Sequence, residues 1–96
     1  LVHLVLEEFP QVLEYELFED VRTRRVTAAR DTLIHLLAAR LNVCSKAIAD
    51  ELGGRSTMGV PSALRRHQDR MLDVGHQVKV LRIEGRLANL LKIPVA

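Results

Sequence analysis

The sequence predicts a small all-α domain, and its length, its composition and the spacing of its apolar residues each support this fold class. Ninety-six residues are enough for one core, because a chain of this size buries only about 60–65% of its extended surface. Apolar residues make up 48% of the chain and charged residues 27%, which is typical of globular proteins. The apolar residues recur at helical steps of three and four. For these residues, the observations exclude a multidomain enzyme and a disordered chain.

The first two helices are predicted on either side of Pro10, over residues 1–9 and 13–18. A third, amphipathic helix is predicted over residues 27–41, with Thr27 suited to cap its start. The apolar face of this third helix carries Ala29, Leu33, Leu36, Leu37 and Leu41.

Three further helices are predicted over residues 45–52, 60–71 and 76–91. Ser45 is suited to cap the first of them, and Gly53 marks its end. The apolar stripe of the second contains Val60, Leu64, His67 and Met71, while Ser62, Arg65, Arg66 and Asp69 point elsewhere. The apolar residues of the last are Val80, Ile83, Leu87, Leu90 and Leu91.

Charge is distributed unevenly along the chain, although the formal net charge is only +2. Residues 1–20 contain six acidic residues and neither Lys nor Arg, whereas all 14 basic residues follow, with the other six acidic ones. A segregated basic surface attracts polyanions. Ordinary solvated helix faces are the alternative explanation. The aromatic residues Phe9, Tyr15 and Phe18 all lie in the first fifth, so stacking platforms for single-stranded nucleic acid are not expected.

No motif in the sequence indicates catalysis, a cofactor or a metal site, so we expect a protein that is not an enzyme. The four histidines lack metal-ligand spacing with each other or with Cys44, and are expected in the core or at its boundary. The single cysteine is expected to be a small buried residue and fits a reducing cytoplasm. No run approaches the roughly 20 apolar residues that span a bilayer.

The segment 45–71 has the pattern of a helix-turn-helix: a short helix, a glycine-containing turn and a second helix with a basic exposed side. A small residue in the first helix, here Ala49, permits close crossing, and Gly53 can take the positive φ of the turn. A helix pair in a plain bundle is the alternative, since such pairs also use glycine turns.

Two sequence blocks carry a family resemblance. Residues 24–30, Arg-Arg-Val-Thr-Ala-Ala-Arg, are similar to the basic loop and Ala-Arg step that open a long central helix, and residues 48–55, Ile-Ala-Asp-Glu-Leu-Gly-Gly-Arg, to a helix and Gly-Gly-Arg turn. Val60 and Ala63 also match the signature. On these residues the chain resembles domain IV, the C-terminal DNA-binding domain of the bacterial replication initiator DnaA. The resemblance implies a TrpR-like helical architecture over residues 1–96.

The resemblance implies binding to double-stranded DNA at the boxes of a replication origin. One helix would enter the major groove, and Arg24, with Arg22 or Arg25 as substitutes, would enter the adjacent minor groove. Affinity is expected mainly from Arg22, Arg24, Arg25, Arg40, Lys46 and Arg55. The wider set of implied DNA-binding residues also contains Arg30, Ser45, Ser56, Thr57, Met58 and Ser62.

The chain departs from the family pattern where bases are read. Ser-Thr-Met-Gly at residues 56–59 replaces Asp-His-Thr-Thr, so Met58 in particular offers little hydrogen bonding. Pro61 predicts that the second helix of the pair starts near Val60, with the proline in its first turn. Asp31 lies where the family has no acid, and a carboxylate there would weaken a nearby phosphate contact.

We therefore predict a sequence-specific DNA-binding domain that needs no cofactor of its own. The alternative is a protein-interaction module that keeps the scaffold and uses the acidic segment 1–20 to meet a basic partner. The resemblance also implies an upstream ATP-binding domain, adjacent copies or protein partners on DNA, and a bacterial cytoplasm in which the protein associates with the nucleoid. Because the chain does not begin with Met, we expect it to be part of a longer protein.

Overall fold

The computed structural model describes residues 1–19, 23–52 and 59–91. Over these ranges the backbone forms six α-helices and no strand, so the predicted all-α class is confirmed. In chain order the helices are α1 (Val2–Glu8), α2 (Glu14–Phe18), α3 (Arg24–Ala39), α4 (Ser45–Glu51), α5 (Gly59–Arg70) and α6 (Val74–Leu91). None of them is long and apolar enough to cross a lipid bilayer.

The central helix is α3, which packs against α1, α2, α4 and α5. Its residues Ala29, Leu33 and Leu36 are almost completely buried, as the apolar spacing predicts. The other helices complete an almost entirely aliphatic core around them with Leu4, Val5, Leu17, Ile48, Leu52, Val60, Ala63, Ile83 and Leu87. This arrangement seats the pair α4 and α5 directly on the central helix.

Ion pairs connect the first helix to the last. Arg82 of α6 lies 3.4 Å from the carboxylate of Glu8 on α1, and Arg86 pairs with Glu7 and, at 3.9 Å, with Glu8. Two acidic residues of the first segment are therefore partnered within the molecule. These ion pairs lie largely at the surface, so each contributes about 0–1 kcal/mol to stability.

The N-termini of α3 and α4 differ from the sequence-based prediction. Thr27 is not a cap, because α3 begins three residues earlier and the Thr23 hydroxyl oxygen accepts a 3.4 Å hydrogen bond from the Val26 amide. Ser45 is the first residue of α4 rather than its cap, which is Cys44. The cysteine is exposed, so the expectation of a buried Cys44 is wrong.

The ends of two predicted apolar stripes are also wrong. Leu41 lies beyond the end of α3, in a segment where Asn42 has a φ of 53°, and its side chain is exposed. Leu90 and Leu91 close α6 but face solvent. Helical spacing alone does not show which apolar residues a neighbouring helix covers.

The start of α5 agrees with the prediction drawn from Pro61. The helix begins at Gly59, so Pro61 lies in its first turn, where the missing amide hydrogen would have no intrahelical acceptor. Val60 and His67 are buried along the predicted stripe, while Ser62 is exposed. The predicted glycine turn before α5 falls on residues 53–58, outside the described ranges.

Candidate nucleic-acid interface

The N-terminus of α3 presents two exposed arginines. Arg24 and Arg25 are the first residues of the helix, and Arg25 Nη1 donates a 2.6 Å hydrogen bond to Gln11 Oε1. Arg24 lies seven residues before Asp31, so the two share one face of α3 and are separated by two turns, or about 10 Å. Arg24 is exposed, at the N-terminal end of the α3 face on which Asp31 contacts α5.

Arg30 has a structural position. Its side chain is only 5% exposed and donates to three backbone carbonyls at the end of α2, those of Leu17 at 3.0 Å, Glu16 at 2.7 Å and Glu19 at 2.8 Å. Carbonyls at a helix C-terminus lack intrahelical donors, and a guanidinium satisfies several of them at once. We therefore remove Arg30 from the candidate DNA-binding residues and assign it to the anchoring of α2.

The junction between α3 and α4 carries further predicted contact residues. Arg40 is exposed but lies 2.5 Å from the carboxylate of Glu84 on α6. Ser45 and Lys46 are exposed in the first turn of α4. Of the two predicted cations here, only Lys46 lacks a carboxylate partner in the described part of the chain.

The carboxylate of Asp31 binds two arginines of α5. It is completely buried, and Arg66 donates to both of its oxygens, from Nε at 2.9 Å and from Nη2 at 3.1 Å. Arg70 Nη1 donates to the same carboxylate at 2.5 Å. The hydrogen bond to Asp31 raises the pKa of Arg66 further above its usual range. Asp31 therefore does not face solvent as an isolated acid, and the expected weakening of a phosphate contact is not supported by this geometry.

The cations differ in whether they have a carboxylate partner. Those with carboxylate partners are Arg40, Arg66, Arg70, Arg82 and Arg86. Lys79 of α6 lies over the Phe9 ring, 4.9 Å from its centroid. Within the described ranges, the exposed cations without a carboxylate partner are Arg24, Arg25, Lys46 and Arg65. All four belong to α3, α4 and α5, the helices in which the sequence predicts DNA contacts.

The exposed side of α5 contains residues that sequence analysis did not assign to DNA. Arg65 and Arg66 follow Ser62 by three and four residues, so all three lie on one side of the helix. Arg66 and Arg70 are four residues apart, about one helical turn, and this spacing in the sequence indicates that both guanidiniums could reach the same carboxylate. The predicted residues Arg22, Arg55, Ser56, Thr57 and Met58 lie outside the described ranges.

Three of the four histidines come together in the interior, as core or boundary residues. The ring centroids of His35 and His67 are 4.2 Å apart, and those of His67 and His76 are 5.4 Å apart. Their assembly could not be deduced from spacing, because they belong to three different helices. No group of three His, Cys, Asp or Glu residues in the described ranges has an arrangement that could hold a metal ion.

The acidic segment forms a separate surface. Leu13, Glu14, Tyr15, Phe18 and Glu19 line an open groove of about 660 Å³ at α2. Leu13 and Tyr15 are each 56% exposed. The carboxylate of Glu16 is used locally, since it accepts a 2.8 Å hydrogen bond from the Leu13 amide.

Comparison with known proteins identifies no relative of this chain. No protein-family model matches the chain, and no curated protein or solved structure matches it. A function for this chain therefore depends on its own residues, on the helices that carry them and on the resemblance of its sequence blocks.

Proposed function

We propose that this domain binds double-stranded DNA through α5, with Arg24 entering the neighbouring minor groove. The observation that carries the proposal is that, within the described ranges, the exposed cations without a carboxylate partner all lie on α3, α4 and α5. Arginines of α6 are paired with carboxylates of α1, whereas Arg24, Arg25, Lys46 and Arg65 keep their charge for an external anion. Unpaired cations on one set of helices are the electrostatic footprint of a nucleic-acid-binding surface.

The shape of the helix pair supports α5 as the groove-binding helix. It packs on both α3 and α4, so its buried side is fixed, and its other side carries Ser62 and Arg65. A single helix fits the major groove of B-DNA, which is about 12 Å wide. Ser62 can hydrogen-bond a base edge or a phosphate, and Arg65 can bind either guanine or a phosphate.

The length of α3 supports contacts in two neighbouring parts of the duplex. Its 16 residues span about 24 Å, with Arg24 at one end and Lys46 following the other end after a short connection. A helical turn of DNA is about 34 Å, so contacts at the two ends of α3 would fall in different grooves. This separation is compatible with an arginine in the minor groove and a lysine at a phosphate beside the major groove.

The resemblance to DnaA domain IV supports replication-origin boxes as the target sequences. We therefore propose that the domain directs a replication initiator to its origin. The altered base-reading residues 56–59 would then give a preference different from that of the family pattern.

A protein-interaction module is the second candidate function. The groove at α2 favours it, because Leu13 and Tyr15 expose apolar surface beside Glu14. Against it, Glu7 and Glu8 are occupied by Arg86 and Arg82, so only part of the acidic segment is available to a basic partner.

Fluorescence anisotropy with two labelled duplexes tests the proposed function. One duplex carries an origin-type box and the other a scramble of equal composition, each titrated over a series of salt concentrations. With about five phosphate contacts, log affinity should fall with log salt with a slope of about −4 to −5. A preference for the box of at least about 10³ supports sequence-specific reading. Absence of binding to both duplexes at low salt contradicts the proposal.

An NMR titration separates the two candidate functions. DNA should shift the amide signals of residues 24–29 and 46–66, which belong to the proposed interface. A protein partner bound to the acidic segment should instead shift those of residues 7–20. Shifts confined to the second set on addition of DNA would contradict DNA binding by α5.

A further inference from the structure

We propose that Arg66 is a phosphodiester-binding residue that Asp31 holds in position at the edge of α5. The inference rests on the proposed function, because the phosphodiester is that of the bound duplex. It adds to the interface a residue that neither the sequence motifs nor the family resemblance indicated.

The geometry of the Asp31–Arg66 pair leaves one edge of the guanidinium available. A guanidinium has five N–H groups, and Asp31 uses one on Nε and one on Nη2. Of the remaining three, one on Nη1 and one on Nη2 are parallel and form the terminal edge of the guanidinium, which Asp31 does not use. The Arg66 side chain is 49% exposed, whereas that of Asp31 is 0% exposed. Two parallel N–H groups on an exposed edge match two oxygens of a phosphate.

The second arginine at this carboxylate preserves a net positive charge. Arg70 also donates to Asp31, so one negative group is shared between two cations. The surface group of Arg82 and Arg86 with Glu7 and Glu8 is neutral and has little attraction for an anion. The cluster of Asp31, Arg66 and Arg70 carries a net charge of +1 by contrast. Arg66, the more exposed of the two arginines, is where this charge meets solvent.

The position of Arg66 places it within the proposed interface. It lies one turn after Ser62 on α5, and its partner Asp31 lies two turns from Arg24 along the same face of α3. Arg66 therefore lies on the helix proposed for the major groove, where that helix contacts the one that carries Arg24. A residue at this position would contact the phosphate backbone of the DNA strand that separates the two grooves.

The first test uses Arg66→Gln, with Arg82→Gln as the matched control. Arg82 is also an exposed arginine bound to a carboxylate, but it lies on α6. We expect Arg66→Gln to weaken DNA binding about 10-fold and to make the salt slope less steep by about 1, and Arg82→Gln to change neither. Urea denaturation should be used to check that each variant is folded under the binding conditions. If Arg66→Gln destabilises the fold, Arg66→Lys keeps the charge and should retain the wild-type salt slope with a lower affinity.

A second test identifies the contact directly. Single methylphosphonate substitutions remove the charge of one phosphate at a time along the duplex. At the phosphate that Arg66 binds, the substitution should weaken the wild-type protein about 10-fold and leave Arg66→Gln unaffected. If every substitution weakens both proteins by the same factor, the assignment of Arg66 is wrong.

The variant Asp31→Asn tests whether Asp31 acts by holding the Arg66 guanidinium in position or only through its own negative charge. The substitution removes a negative charge, so a purely Coulombic effect would strengthen DNA binding and make the salt slope steeper. Loss of the ordered arginine should instead weaken binding in the folded variant. Stronger binding would overturn the positioning role. Wild-type protein that binds no duplex would contradict the proposed function itself, whereas wild-type binding that is insensitive to Arg66 substitution contradicts this inference alone.

Discussion

The imidazole rings of His35 and His67 stack, with centroids 4.2 Å apart and an angle of 21° between their planes. His67 is 2% exposed, and neither of its ring nitrogens has a hydrogen-bond partner within the described ranges. His76 of α6 meets His67 edge to face, at 5.4 Å and 65°. The three rings therefore join α3, α5 and α6 through packing, at a site where an added proton would be poorly solvated.

This environment favours the neutral imidazole. Burial, together with the neighbouring His35 and His76, lowers the pKa of His67 from 6.5 to about 4. Asp31 acts in the opposite direction, and Arg70 lowers the pKa further. Burial also lowers the pKa values of His35, where Glu84 opposes the shift, and of His76, where Asp73 opposes it.

We predict that acid destabilises the domain between about pH 6.5 and pH 4. In this window the unfolded chain binds a proton at His67 that the folded chain does not, so the free energy of unfolding falls as the pH falls. The pKa shift of His67 corresponds to a loss of about 3 kcal/mol across the window. Urea denaturation followed by circular dichroism over this pH range measures it.

The variant His67→Leu tests whether His67 causes that pH dependence. Leucine is apolar, of similar size and cannot bind a proton, so its free energy of unfolding should depend less on pH between 4 and 6.5. His3→Gln is the matched control, because it removes an exposed histidine outside the three-ring cluster, and the pH dependence due to His67 should persist in it. Parallel profiles for His67→Leu and the wild-type protein would contradict the assignment.

The anchoring of α2 by Arg30 predicts a large effect from a conservative substitution. Arg30→Lys keeps the charge but cannot reach all three carbonyls, so it should lower the free energy of unfolding by about 2–4 kcal/mol. Arg65→Lys, on the exposed side of α5, should change it by less than about 0.5 kcal/mol. Equal effects in urea denaturation would show that Arg30 does not support α2 in this way.

The helices themselves could be predicted because their signals are local. The spacing of apolar residues and the position of Pro61 together define α5 to within one residue at each end. The short helices α1 and α2 also agree with the predicted segments around Pro10. Each of these elements depends on side chains within one or two turns of each other, which a single sequence displays directly.

The roles of individual charges could not be predicted, because their partners are distant in sequence. Arg30 and Asp31 are adjacent on α3, yet one binds the end of α2 and the other binds α5. Which face of a helix meets which neighbour depends on how all the helices pack. The family resemblance implies a DNA contact for Arg30, and Asp31 is expected to weaken a nearby phosphate contact, whereas both side chains are buried and bound within the molecule.

The corrected start of α3 gives a prediction about helix capping. Thr23→Ala should lower the free energy of unfolding by about 1 kcal/mol, because the Val26 amide loses its acceptor. Thr27→Ala removes the hydroxyl of the residue that the sequence pattern predicts as the cap. Because the cap is Thr23, this substitution should lower the free energy of unfolding less. Thermal or urea denaturation of the two variants should therefore rank Thr23→Ala as the more destabilised. The opposite order would place the effective start of the helix at residue 27.

Arg24 provides the most direct test of the proposed minor-groove contact. Its side chain has no carboxylate partner in the described residues, so Arg24→Ala removes a cation that is available to DNA and should weaken binding about 10-fold. Arg86→Ala removes the same charge from α6, where it is paired with Glu7, and should have little effect.

A narrow A·T-rich minor groove attracts arginine most strongly. The loss on Arg24→Ala should therefore be larger for a duplex with an A·T-rich flank than for one with a G·C-rich flank, as measured by anisotropy at one salt concentration. Equal losses for Arg24→Ala and Arg86→Ala would contradict a specific position for Arg24, and equal losses on the two flanks would indicate a phosphate contact instead.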